Sequence, residues 1–144
     1  MMVTKIIETL YINFSRADVY AQELSTYPLE SEIFLDITKV KTIDGFIYRF
    51  AKIQDMMGEK LFPVYLESLQ EYKSSMSFID ILNKLEKLEI IESTDEWKYF
   101  RKLRNLLTHE YPDNEDEIIE GIKEALVVYK KMKAIFDTIS MELK

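Results

Sequence analysis

The chain has 144 residues, of which 47% are hydrophobic and 31% are charged, and its net charge is −7. This length and balance fit a single globular domain, residues 1–144, that is large enough to bury a core. Three glycines and three prolines are too few for the many turns of an all-β fold. The absence of cysteine excludes disulfides and thiolate metal sites.

The N-terminal segment and the distribution of charges predict a soluble, cytoplasmic protein. The segment MMVTKIIETLYINF carries Lys5 and Glu8 and lacks the apolar centre of a signal peptide. The longest run without a charge is seven residues, from Thr9 to Ser15, which is far shorter than a membrane span. We therefore expect no membrane partner.

Apolar residues at three- to four-residue spacing predict helices along most of the chain. The first predicted helix runs from Val3 to Leu24. A second begins near Asp36 and includes an apolar face. Pro63 is expected to kink or end this second helix, because its ring removes a hydrogen-bond donor and clashes with the preceding turn.

Capping patterns predict three further helices. Ser-x-x-Asp and Ser-x-x-Glu patterns begin at Ser77 and Ser93, and Pro112 and Asp113 interrupt the chain after the second of these helices. Asn114 is expected to cap the last helix. Four or five helices with short connections imply an all-α fold, an antiparallel four- to five-helix bundle.

The only histidine, His109, lies in the segment RKLRNLLTHEYP, directly after the one dense basic cluster of the chain. One seven-residue window without an acidic residue contains Lys98, Arg101, Lys102 and Arg104. The net charge of −7 argues against non-specific binding of nucleic acids over the whole surface. The basic cluster instead indicates a local site.

The residue types in this segment suggest the cleavage of RNA. Helical spacing places Arg101, Asn105, Thr108 and His109 on one polar face, with Arg104 at its edge. A neutral imidazole can accept the proton of a ribose 2′-hydroxyl, and an arginine can stabilise charge on the phosphate. Because such cleavage needs a base and an acid, and one chain has one histidine, the hypothesis requires a two-fold homodimer.

Residues 104–111, RNLLTHEY, resemble the Arg-x4-His-x-Tyr signature of HEPN-domain proteins. The similarity is greatest to the HepT toxins, which are paired with minimal nucleotidyltransferase antitoxins. The polar Asn105 directly after the arginine is typical of that family, and the segment from Phe46 to Pro63 looks like its second long helix. The resemblance implies a HEPN-like helical bundle of about this size.

The resemblance implies a metal-independent endoribonuclease toxin that acts as a homodimer on RNA without a cofactor. Arg104 and His109 would be catalytic, and Asn105 would support them. Tyr111 would accept AMP from ATP through the partner nucleotidyltransferase. The added phosphate would silence the toxin by blocking the site and repelling RNA. Further candidate RNA contacts are Lys98, Arg101, Lys102 and Arg49.

Other features have ordinary structural explanations. Arg49 either lines the same cleft as Arg104 or, as we expect, forms a surface salt bridge. Trp97 is expected to pack the start of the motif helix. The acidic residues 113–117 lack the ligand spacing of a calcium loop and fit the start of a helix instead.

Two alternative functions remain open. The bundle could be a non-catalytic binding subunit that presents a target, or Tyr111 itself, to a separate nucleotidyltransferase. It could also be a helical scaffold in which the motif is fortuitous. The catalytic hypothesis needs Arg104 and His109 exposed together at a two-fold interface, whereas the scaffold hypothesis predicts a histidine that caps its own helix with no cleft beside it.

Overall fold

The computed structural model describes residues 2–109 and 114–143, which contain six α-helices and no strand. The helices are α1 Met2–Ser25, α2 Ile37–Met56, α3 Phe62–Ser68, α4 Phe78–Lys87, α5 Thr94–His109 and α6 Glu115–Glu142. A 3-10 helix, Ser31–Leu35, precedes α2, and a π-helical turn, Met57–Leu61, joins α2 to α3. Because α2, the π turn and α3 form one continuous helix, the described residues form five helical rods. The predicted all-α bundle is confirmed.

Three of the predicted helix starts are confirmed by side-chain hydrogen bonds. The side chain of Asp36 caps α2 by accepting a hydrogen bond from a backbone N–H in its first turn. Ser77 and Asp80 form a reciprocal capping box at the start of α4. The hydroxyl of Ser93 accepts a hydrogen bond of 3.0 Å from the backbone N–H of Glu96, next to the start of α5.

One other local prediction is wrong, and of the two outcomes expected at Pro63, a kink or an end of the helix, the end is not found. Asn114 occupies the position before α6, but its side chain makes no capping hydrogen bond. The second long helix does not end at Pro63, because the π turn immediately before it changes the hydrogen-bond register. Phe62 donates its backbone N–H to the carbonyl of Met57, five residues earlier. This wider turn accommodates a proline in a continuous helix.

The packing of α1 against α2 organises one side of the bundle. The two helices are antiparallel, as the hydrogen bond from Thr42 to Glu23 (2.9 Å) and that from Arg49 to Asn13 (2.7 Å) show. Between these contacts the ring of Tyr20 lies directly on Gly45, where a Cβ atom would be 2.5 Å from the ring. The absence of a side chain at Gly45 therefore sets the distance between the helices at this point.

The long helix α6 completes the core and contacts both α1 and α5. Tyr129 is buried, and its hydroxyl lies 2.9 Å from the backbone oxygen of Phe14 and donates to the carboxylate of Asp18. Burial, followed by the hydrogen bond to Asp18, raises the pKa of Tyr129. None of the helices in residues 2–109 and 114–143 combines the length and apolar character needed to cross a bilayer.

Replacing Gly45 by alanine tests the contact with Tyr20. We expect Gly45→Ala to lower the free energy of unfolding by about 1–3 kcal/mol, because the added methyl group displaces the ring or separates the helices. The measurement is urea denaturation followed by circular dichroism. In a Tyr20→Ala background the same substitution is expected to be neutral, or to stabilise by up to about 1 kcal/mol through helix propensity. An equal loss in both backgrounds would contradict this explanation.

Candidate active site

The helix that carries the motif, α5, packs antiparallel to the continuous helix formed by α2 and α3. Near the start of α5, Trp97 is fully buried, and its ring centroid lies 4.7 Å from that of Phe62 in α3. Two turns later, Arg104 pairs with Asp55 in α2. The face of α5 towards the core comprises Trp97, Phe100, Leu103 and Leu107. The expected packing role of Trp97 is confirmed.

The guanidinium of Arg104 is held by the carboxylate of Asp55 through two hydrogen bonds. Nε of Arg104 lies 3.2 Å from Oδ1 of Asp55, and Nη2 lies 2.7 Å from Oδ2. The two side chains are 24% and 36% exposed, so the pair is only partly screened by water. A bidentate pair fixes the plane of the guanidinium as well as its position. Asp55 is a site residue that the sequence analysis missed.

The opposite edge of the guanidinium faces the polar side of its own helix. Nη1 of Arg104 lies 3.3 Å from Oδ1 of Asn105 and 3.4 Å from Oγ1 of Thr108. These hydrogen bonds are long and exposed, in contrast to the contact with Asp55. The amide oxygen of Asn105, which was expected to support Arg104 and His109, therefore accepts a hydrogen bond from Arg104.

His109 is the last residue of α5 and its side chain is exposed. Among residues 2–109 and 114–143 the imidazole has no hydrogen-bond partner. The structure thus places Arg104 and His109 on one helix, close to its C-terminal end, with Asn105 and Thr108 between them. Tyr111, the predicted acceptor of AMP, lies outside the described residues.

A surface groove of about 460 Å³ lies between α2 and α5. Its lining residues are Tyr48, Ala51, Lys52, Asp55, Met56, Glu59, Lys60, Arg104 and Thr108. Three cations and two carboxylates line the groove, although the whole chain has a net charge of −7. The groove is therefore the part of the candidate site where an anionic ligand could be held.

The other basic residues of the predicted cluster extend the cationic surface along α5. Lys98, Arg101 and Lys102 are exposed, and the guanidinium of Arg101 lies 5.3 Å from the ring centroid of Phe78. Within the part of the chain that the structure describes, none of these three side chains forms an ion pair. Their charges remain available to a ligand.

The salt bridge that we expected for Arg49 is not found among the described residues. Arg49 donates a hydrogen bond of 2.7 Å to the amide oxygen of the buried Asn13. Its guanidinium also lies 5.1 Å from the ring centroid of Tyr48. Arg49 does not line the groove, but it contacts Tyr48, which does. The physical reason is that an amide on α1 lies within reach, which the sequence of α2 alone does not reveal.

The residues that sequence analysis missed share a recognisable spacing. Tyr48, Lys52, Asp55 and Glu59 are separated by four, three and four positions, which places them on one face of the continuous helix that α2 and the π turn form. This polar row lies on the side of the helix opposite its apolar face. The row could have been found from the sequence, but nothing in it indicates that α5 is the helix opposite.

The fold and the site define a class of protein: an all-α bundle with an arginine and a histidine near the exposed end of one helix, beside a groove. Comparisons of the chain with protein-family models, curated proteins and solved structures find no match. Among the described residues, no group of three or more histidine, aspartate or glutamate side chains is arranged to hold a metal ion. Support for a function therefore comes from the resemblance of residues 104–111 and from the chemistry of the site.

A double-mutant cycle tests the pairing of Arg104 with Asp55. Alanine substitutions at each position, alone and together, are expected to give a coupling free energy of about 1 kcal/mol, because the pair is bidentate and partly buried. Urea denaturation of the four proteins measures this coupling. The exposed pair of Lys123 and Glu120 on α6 is the matched control, with an expected coupling below about 0.5 kcal/mol. A coupling no larger than that of the control would contradict the assignment.

Proposed function

We propose that the chain is a HEPN-type, metal-independent endoribonuclease that acts as the toxin of a toxin–antitoxin pair. It works as a homodimer in the cytoplasm, and a minimal nucleotidyltransferase neutralises it by transferring AMP to Tyr111. The proposal rests on the resemblance of residues 104–111 to the family signature. The observation that carries it is the orientation of Arg104, whose guanidinium is anchored by Asp55 beside a groove.

The anchoring of Arg104 suits the binding of a phosphate. Asp55 occupies the Nε and Nη2 edge of the guanidinium, so the edge formed by Nη1 and Nη2 stays available. A phosphate at this edge replaces only the long hydrogen bonds to Asn105 and Thr108. A guanidinium that is already fixed in place loses little entropy when it binds, and it stabilises charge that develops on phosphorus.

His109 supplies the base of the proposed reaction. Its neutral imidazole takes the proton of a ribose 2′-hydroxyl, and the 2′-oxygen forms a bond to the adjacent phosphorus. The bond between phosphorus and the 5′-oxygen then breaks. The leaving 5′-oxygen takes a proton from a second histidine in its imidazolium form, which yields a 2′,3′-cyclic phosphate, a 5′-hydroxyl and a neutral imidazole. Arg104 stabilises the negative charge on the phosphate oxygens during both steps.

The second imidazole comes from a second copy of the chain, because each chain has one histidine. A two-fold axis near the exposed end of α5 brings two arginines and two histidines to one cleft. The exposure of His109 and the partial exposure of Arg104 are compatible with this arrangement.

A second candidate function is favoured by one observation. The guanidinium of Arg104 already has a carboxylate partner, so a structural role for this arginine needs no RNA. The chain would then be a non-catalytic binding subunit that presents a target, or Tyr111, to a nucleotidyltransferase. RNA cleavage separates the two functions.

Purified protein is expected to cleave total cellular RNA in the presence of EDTA. His109→Ala should lower the rate about 100-fold or more, because the base is lost. Arg104→Lys should lower it roughly 100- to 1,000-fold, because lysine keeps the charge but loses the planar fork. Arg16→Ala is the matched control, since it removes an exposed arginine on α1. Equal rates in wild type and His109→Ala would refute the proposal.

Transfer of AMP is tested with the same protein, ATP and a minimal nucleotidyltransferase. The wild type is expected to gain the mass of one adenylyl group and to lose RNA cleavage, because the added phosphate brings negative charge next to the imidazole. Tyr111→Phe should keep its cleavage activity and stay unmodified. Modification of Tyr111→Phe at another of the nine tyrosines would place the regulatory residue elsewhere.

A further inference from the structure

We propose that the groove between α2 and α5 is a binding site for single-stranded RNA in which the ring of Tyr48 stacks on a base. Lys52 and Lys60 neutralise neighbouring phosphates, and the groove leads the strand to Arg104. This inference rests on the proposed function in its choice of RNA as the ligand. It adds a base-binding position on α2, a helix that the Arg-x4-His-x-Tyr segment does not include.

The exposed ring of Tyr48 is the first observation behind this proposal. Tyr48 is 55% exposed although it lines the groove, so a large part of its ring surface contacts water. Nζ of Lys52 lies 3.3 Å from the hydroxyl of Tyr48 but 5.5 Å from the ring centroid. The ammonium is therefore closer to the edge of the ring at its hydroxyl than to its centre. This position leaves ring surface available for a base.

The ring of Tyr48 is also supported from within the fold. The guanidinium of Arg49 lies 5.1 Å from the ring centroid of Tyr48. Arg49 is in turn held by the amide oxygen of Asn13, whose Nδ2 donates a hydrogen bond of 2.9 Å to the backbone oxygen of Thr9. Because Asn13 is buried, this chain of contacts ties the ring of Tyr48 to α1. A ring that is already oriented is a better stacking surface than a mobile one.

The charges of the groove fit a polyanion. Lys52 and Lys60 form no ion pair with any residue in the ranges 2–109 and 114–143. The carboxylate of Asp55 is already paired with Arg104, which leaves Glu59 as the one unpaired acid in the lining. The two lysines therefore outnumber the remaining acid. This excess of positive charge occurs in a chain whose net charge is −7.

The register of the two helices connects the stacking position to the proposed catalytic residues. Tyr48 and Asp55 are two helical turns apart, a separation of about 10 Å along α2. Since α5 is antiparallel to α2, Arg104 lies opposite Asp55, and Thr108 lines the same groove as Tyr48. A short single strand can thus place one base on Tyr48 and a nearby phosphate at the guanidinium of Arg104.

A single strand fits these observations better than a duplex. In a duplex the bases are stacked on one another, so an exposed ring has no base face to contact. A combination of unpaired cations with an exposed aromatic ring is the arrangement by which proteins hold single strands without sequence preference. We therefore expect the base on Tyr48 to contribute affinity with little sequence preference.

The test measures binding of a short, fluorescently labelled single-stranded RNA to the 144-residue chain with the His109→Ala substitution, which is expected to slow cleavage about 100-fold or more. Tyr48→Ala in this background is expected to weaken binding roughly 5- to 100-fold, the effect of losing one stacked base. Tyr48→Phe keeps the ring, so its Kd for the RNA should stay within about threefold of the Kd of the His109→Ala protein. This change is small compared with the loss of one stacking contact. Tyr11→Ala is the matched control, because Tyr11 is 66% exposed on α1 and does not line the groove.

An RNA of the same length without bases separates stacking from charge. The parent and Tyr48→Ala should bind this abasic strand equally, because no base remains to stack. If Tyr48→Ala weakened binding of the normal and the abasic strand equally, the stacking proposal would be overturned. The same conclusion would follow if Tyr48→Ala weakened binding of an RNA duplex as much as binding of the normal single strand. No effect of Tyr48→Ala on the normal single strand would overturn it directly.

Failure of this proposal is distinguishable from failure of the proposed function. If the wild-type protein cleaves RNA but RNA binding does not depend on Tyr48, the proposed RNA site in the groove is refuted and the proposed ribonuclease function is supported. If the wild-type protein cleaves no RNA but the normal single strand binds through Tyr48, the proposed RNA site in the groove is supported and the proposed ribonuclease function is refuted. Absence of RNA binding by the His109→Ala protein overturns the groove.

Discussion

The guanidinium of Arg104 is held by a carboxylate that lies 49 residues earlier in the chain, and the geometry of the candidate site depends on this pair. Without Asp55, a long arginine side chain on an exposed helix would sample many rotamers. With it, one edge of the guanidinium is occupied and the other is directed along α5. The ion pair is therefore less important for its contribution to stability than for the direction it imposes on one cation.

The pair forms because α5 has one long partner helix. Trp97 packs on Phe62 beyond the π turn, whereas Arg104 meets Asp55 before it. If the helix broke at the π turn and did not continue into α3, the two contacts would belong to separate rods, and the register of α5 would be less well defined. Gly58 lies within this turn and faces Phe78 and Trp97, so the turn also packs closely against the base of the site. π turns frequently occur at functional sites, which agrees with this position.

An acidic chain and a site for RNA are compatible because the relevant charge is local. Most acidic side chains lie outside the groove, and Asp55 is paired within it. Charges that are farther apart than roughly 8 Å are largely screened at physiological ionic strength. The net charge of −7 therefore bears on solubility and on non-specific association more than on a phosphate that contacts Arg104 directly.

The sequence by itself determined the helices, most of their starts and the apolar faces that pack together. These features follow from neighbours along the chain: Asp36, Ser77 and Ser93 cap helices through residues at most three positions away. Helical spacing within one segment likewise predicted that Arg104 lies beside the polar face of α5. Local sequence patterns also led to an error at Asn114, whose side chain makes no capping hydrogen bond, and they did not reveal the π turn through which the helix continues past Pro63.

Only the tertiary structure decided which side chains meet across helices. Asp55 as the partner of Arg104, Asn13 as the partner of Arg49 and Tyr48 as part of a groove all depend on helix pairing and register. The periodicity of α2 shows which residues share a face, but it carries no information on the helix that covers that face. Contacts between distant residues are set by the packing of the whole core, and so the direction of Arg104 emerges only in the folded bundle.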